Sequence, residues 1–184
     1  MLEGSHNLFD IVTVIWLFPI VFMFHDLEEL ITIEHFSKSN KIKDQKPMPA
    51  VFALFALIVK RKFSTKTVQF AVAVTWIFLI LSFITLFTVQ SLPNGGSFLL
   101  FIAAINIFFL QVFTHIGQTI IYRGYTPGVI TALFIVIPYC LYTYYRLLES
   151  DLIDWQFIFD SIPISLFIVP VLLIGNILGR LINP

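Results

Sequence analysis

Residues 67–90 read TVQFAVAVTWIFLILSFITLFTVQ, twenty-four positions without a charged side chain. As a helix this stretch rises about 36 Å, more than the roughly 30 Å hydrocarbon core of a bilayer. Four further stretches share its character, at about 7–35, 97–122, 127–147 and 162–182. The whole chain of 184 residues is 58% hydrophobic and 12% charged, with 21 Phe. A soluble globule cannot cover itself with so little polar surface. The expected fold is all-α: one polytopic transmembrane helical bundle over residues 1–184, with five spans set in the lipid bilayer.

Composition excludes several functions. Formal net charge is zero, so there is no basic footprint for nucleic acid. A single cysteine, Cys140, rules out an intrachain disulfide and a Cys-rich metal site. The opening MLEGSHNLFD has no basic segment ahead of its apolar run, and no small-residue cleavage site follows that run. It reads as an uncleaved span.

A sixth apolar piece, PMPAVFALFALIV (Pro47–Val59), is too short to cross and is expected to be interfacial or re-entrant. Eight of the eleven basic residues flank it: Lys38, Lys41, Lys43, Lys46, Lys60, Arg61, Lys62 and Lys66. Excess Lys and Arg mark the cytoplasmic side. A crossing at Pro47–Val59 would put these two clusters on opposite faces, which argues for five spans. The N-terminus is then expected outside and the C-terminus in the cytoplasm. Arg146 alone falls on the wrong side. GNILG (Gly175–Gly179) has the small-xxx-small spacing of closely packed membrane helices.

The polar residues inside the apolar spans carry the functional signal. FMFHDLEELITIEHF (Phe22–Phe36) places His25, Glu28 and Glu29 at i, i+3 and i+4, on one helix face. Histidine and carboxylate at i and i+4 can hold one cation, while a third group acts on its bound water. The competing reading is a solvated helix end, which suits Asp26 and Glu34. In the third span, Gln111, His115, Gln118, Thr119 and Tyr122 recur at helical spacing. Such a stripe faces a bundle interior or a wet cavity. His115 precedes Arg123 by eight residues, about 12 Å of helix, and His25 precedes Lys38 by thirteen. Both histidines therefore fall in the cytoplasmic half. His115 is either a ligand or a histidine hydrogen-bonded inside the bundle. Asn106, deeper in the same span, reads as an interhelical hydrogen-bonding group. RGYTPG (Arg123–Gly128) follows. Thr126 is the expected N-cap of span four and Pro127 its first helical residue. The free N–H groups beyond, with Arg123, are expected to hold a phosphate or carboxylate.

These motifs resemble the HXXEE-domain family of small integral membrane proteins. HDLEE (His25–Glu29) is its naming motif. QVFTH (Gln111–His115) stands where the family has Asn-Ala-x-x-His, keeping the histidine. RGYTPG matches the family's Arg-x-Tyr-x-Pro-Gly. The resemblance supports the choice of residues and assigns no reaction.

The expectation is a metal-dependent hydrolase of a lipid-like or peptide substrate near the cytoplasmic face. His25, Glu29 and His115 are the expected ligands of a divalent ion, Zn²⁺ by donor type, with Glu28 as general base. Arg123, Tyr125, Gln111 and Gln118 are the expected substrate or anion contacts. By analogy, the first motif is a reversed H-x-x-E-H whose second histidine is Glu29. Two alternatives use the same residues: a small proton-coupled transporter with a Glu/His relay, and a non-catalytic membrane partner or immunity factor.

Overall fold

The computed structural model describes residues 8–38 and 66–182. The short apolar piece Pro47–Val59, most of the basic segment and residues 1–6 lie outside the described residues. Five helices among the described residues are long and apolar enough to cross a membrane. They are α1 (Ile11–Lys38), α2 (Thr67–Ser91), α3 (Leu99–Tyr122), α4 (Val129–Glu149) and α6 (Ile162–Ile182). The bundle is all-α, and its spans match those expected to within a few residues.

α1 starts later than the apolar run, because Asp10 ends it. The Asp10 carboxylate accepts from Thr13 N–H at 2.6 Å, the geometry of an N-cap. That bond holds the Asp10 carboxyl below its ordinary value. A short helix, α5 (Trp155–Asp160), precedes α6. Asp154 caps it, accepting from Phe157 N–H at 2.7 Å.

The core forms where the stripes of α1 and α3 meet. On α1 the buried residues are Val14, Ile15, Phe18, Pro19, Val21, Phe22, His25, Asp26, Glu29, Ile33 and Phe36. That is one helical face whose chemistry turns from apolar to ionisable and back. On α3 the matching face runs Phe101, Ile105, Phe108, Val112, His115, Gln118, Tyr122. Phe18 packs on Phe101 and Phe108 with ring centroids 5.5 and 5.7 Å apart. Phe36 meets Tyr122 at 5.3 Å. These aromatic contacts bracket the polar layer and fix its depth on both helices. α4 packs against both α1 and α3, and α2 lies between α1 and α6.

GNILG packs within the chain. A Cβ on Gly179 would stand 2.2 Å from the backbone oxygen of Gln69, and one on Gly175 3.0 Å from the Trp76 ring. The small residues therefore let α6 approach α2 closely. Arg146, which departs from the expected topology, is 5% exposed. Its guanidinium donates to the Phe9 carbonyl and pairs with Glu149 at 3.3 Å. It ties the start of α1 to the end of α4, so its place is set by a structural contact.

α4 contains one widened turn, residues Ala132–Val136, in which Ile137 N–H bonds back to the Ala132 carbonyl five residues earlier. Pro138 explains it. Proline lacks the N–H that would satisfy the carbonyl four residues back, and its ring crowds that carbonyl.

Candidate functional site

The site is built where α1 and α3 approach their C-terminal ends and α4 begins. His25 and Glu29 are each 1% exposed and His115 0%. The two imidazoles meet edge to face with centroids 4.8 Å apart. One potential ligand atom from each of His25, Glu29 and His115 lies within 4.8 Å of the other two. His115 Nε2 stands 3.2 Å from Glu29 Oε1. The structure thus brings together the three residues expected as metal ligands, from two helices.

Their hydrogen bonds define which ring atoms face inward. His115 Nδ1 lies 3.0 Å from the Pro127 carbonyl. A carbonyl only accepts, so Nδ1 carries the proton and neutral His115 turns the Nε2 lone pair toward Glu29. Lone pair then faces carboxylate in a dry site. A buried ionised carboxylate costs several kcal/mol, roughly, unless positive charge or hydrogen bonds compensate. A proton on Nε2 or a cation held between the two groups supplies that charge.

RGYTPG is the strap that closes the site. Arg123 ends α3 in the left-handed region, φ 50°. Gly124 N–H bonds the Thr119 carbonyl at 3.2 Å. The Thr126 hydroxyl meets the Thr119 hydroxyl at 2.8 Å. Pro127 offers its carbonyl to His115. Gly128, at φ +84°, passes so close that a Cβ there would stand 2.6 Å from His115 Cε1 and 2.8 Å from Glu29 Oε1. Only glycine fits both that backbone conformation and that approach.

The start of α4 differs from expectation. Its N-cap is Gly128, and helix begins at Val129 rather than Pro127. The Thr126 hydroxyl is turned to Thr119. The carboxylate that belongs at a helix N-terminus comes from within the chain. Glu28 Oε2 accepts from Thr131 N–H at 2.7 Å and from the Thr131 hydroxyl at 2.6 Å. Glu28 Oε1 accepts from the Tyr125 hydroxyl at 2.8 Å and from Ile130 N–H at 3.4 Å. Four donors therefore converge on a group expected to be a general base, which leaves it badly placed to take a proton from water. The anion site expected at α4 is the seat of Glu28.

The remaining expected contacts divide. Gln111 lies in the site: its amide nitrogen is 3.4 Å from His25 Nε2. The departure from Asn-Ala at this motif therefore keeps a polar group on the cluster. Tyr125 lies on Glu28, and partial burial together with that carboxylate pushes its hydroxyl up to about 12, so it remains a donor at neutral pH. Gln118 is buried at 3% exposure on the next turn of α3, and its Oε1 accepts no hydrogen bond among the described residues. Arg123 is exposed. Among the described residues no ion pair joins it to the cluster.

Sequence reasoning missed Thr131, whose hydroxyl lies 3.0 Å from His25 Nδ1. Its signal was available: it falls three residues after Gly128, on the first turn of the helix whose N-terminus had already been singled out.

Three separated motifs thus converge on one polar layer in the order the chain presents them. The family model described as "protein of unknown function with HXXEE motif" matches residues 16–143, more than two thirds of the chain. The chain belongs to this HXXEE family. Its matched region runs from α1 into α4 and contains every residue of the site. No curated protein and no solved structure matches the chain.

Proposed function

We propose that this HXXEE protein is a membrane-embedded, metal-dependent hydrolase, with His25, Glu29 and His115 as the ligands of a divalent ion. One observation carries the reading: three buried, metal-competent side chains from two helices offer ligand atoms within 4.8 Å of one another. Two imidazoles and a carboxylate are a donor set suited to Zn²⁺. Both histidines also have Nδ1 engaged by an oxygen, at 3.0 Å in each case. That is the outer-shell pattern that orients metal-bound imidazoles. A zinc-type ion with three protein ligands keeps a position for water and lowers its pKa to about 7.

The chain's own residues then have separate tasks. Glu29 supplies negative charge to the ion. Gln111 sits beside His25 as a neutral polar group for a substrate carbonyl. Glu28 holds α4 in place and is not the proton acceptor. The Lys and Arg distribution supports placing this end of the bundle toward the cytoplasm. A substrate reaching a layer buried between spans from that side is lipid-like or an extended peptide.

The test is metal analysis of the detergent-purified protein, followed by turnover of lipid-ester and peptide substrates. About one zinc per chain is expected, with none in His25→Ala and with hydrolysis abolished by a chelator. A metal-free wild type that refuses added Zn²⁺ removes the reading. Bound metal without hydrolysis of either substrate class retains the ion and removes the reaction.

A second reading, a proton-coupled carrier, is favoured by one feature. A continuous hydrogen-bonded chain runs from Gln111 through His25, Thr131 and Glu28 to Tyr125, which is 39% exposed. Proton or solute flux in proteoliposomes without chemical conversion would select it.

A further inference from the structure

The two glutamates of HDLEE sit side by side in sequence and point to different partners. Glu29 reaches His115. Glu28 reaches the first turn of α4 and, through Thr131, comes back to His25 on its own helix. We propose that Glu28 and Thr131 are positioning residues that fix the tautomer and ring orientation of His25, leaving the lone pair on its Nε2. The inference rests on the metal-site reading for its purpose, though its geometry stands without a metal.

The argument follows the protons. The Thr131 hydroxyl has one hydrogen. The carboxylate oxygen of Glu28 at 2.6 Å is its strongest acceptor, against the Gly128 carbonyl at 3.3 Å. Charge-assisted hydrogen bonds of this kind are short and about twice as strong as neutral ones. With its proton on Glu28, Thr131 Oγ1 can only accept, and the donor in reach is His25 Nδ1–H at 3.0 Å. His25 is then protonated at Nδ1, and its Nε2 carries the lone pair. The Gln111 amide nitrogen, 3.4 Å from that Nε2, agrees, since an amide N–H donates to a bare ring nitrogen. Glu28 fixes Thr131 a second time through the backbone N–H at 2.7 Å. The hydroxyl is thus held by the same carboxylate that holds the helix turn carrying it.

His115 reaches the same state by another route, through the Pro127 carbonyl. One histidine is oriented by a side chain and the other by backbone. A substitution at Thr131 should therefore affect His25 and spare His115, which gives the experiment an internal control.

Nitrogen-15 shifts of labelled imidazoles in metal-free protein read the tautomers directly, and the chain has only four histidines. In the wild type His25 and His115 are both expected as Nδ1–H. Thr131→Val should release His25 to a mixture or to Nε2–H, leave His115 unchanged, and weaken Zn²⁺ binding about 10- to 100-fold. Thr131→Ser keeps the hydroxyl and should restore both. His25 protonated at Nε2 in the wild type would overturn the proposal without any variant. So would a Thr131→Val protein whose His25 keeps the Nδ1–H form. A wild type that binds no zinc but shows the expected tautomers, and their selective loss in Thr131→Val, would support the positioning and reject the metal reading.

Discussion

Two polar layers cross this bundle, and they are built on opposite principles. In the layer away from the site, the Tyr144 hydroxyl donates to Asn106 Oδ1 at 2.7 Å, and Asn106 Nδ2 donates to Ser161 Oγ at 2.8 Å. The Ser161 and Ser165 hydroxyls donate to the carbonyls of Ile158 and Ser161. Every group is neutral, and donors match acceptors. In the other layer, His25, Glu29 and His115 are ionisable and buried, with His115 Nε2 3.2 Å from Glu29 Oε1. The first layer joins α3, α4 and α6 at modest gain. The second is a costly arrangement that a merely structural contact would not need.

The comparison can be broken most directly at His115. If the proposed metal site is correct, His115→Ala should take bound zinc from about one per chain to none while leaving helix content near wild type. Retained metal would erase the distinction between the layers. Gly128→Ala comes next. Its new methyl meets His115 and Glu29 and sits at positive φ, a strain of about 1–3 kcal/mol. Thermal unfolding should fall, and zinc binding should fall with it. Gly179→Val puts the same kind of clash between α6 and α2, on the Gln69 carbonyl. Overpacking of this sort costs about 1–3 kcal/mol, and on the proposed metal reading the protein that remains folded should still bind zinc. Loss of both together would show that the α2–α6 contact and the site are not independent. Asn106→Leu is the smallest. Interhelical hydrogen bonds of this type are worth about 0.6 kcal/mol, so a slight loss in unfolding midpoint and unchanged zinc stoichiometry are expected. A drop in metal content there would mean that the neutral layer also serves the site.

Much of this was legible in the sequence. Long apolar runs marked the spans, and helical spacing put His25 with Glu29 and His115 with Gln118 on single faces. What periodicity cannot give is the partner of a side chain. Glu28 and Glu29 are adjacent letters about 100° apart on a helix, and only the placement of α4 shows that one meets a helix N-terminus and the other an imidazole. α1 also runs too far beyond Glu29 for its dipole to act there: the helix continues to Lys38, so its negative end lies more than two turns from Glu29. Thr126 had the right letters for a cap, but α3 supplied a nearer partner in Thr119. Arg146 followed no topology rule because its charge is neutralised by Glu149 and held by Phe9.

The wide turn at Ala132–Val136 has a consequence for the whole of α4. Such a turn holds about one residue more than its neighbours, so everything beyond it sits roughly 100° out of phase with the start of the helix. Before the turn, Thr131 looks at Glu28; after it, Tyr139 reaches the Val14 carbonyl and Tyr144 reaches Asn106. The kink-maker Pro138 thereby acts as a clutch between the helix's two halves, letting each take the facing its own neighbours demand. A continuous rod in its place would have to surrender one set of partners to keep the other.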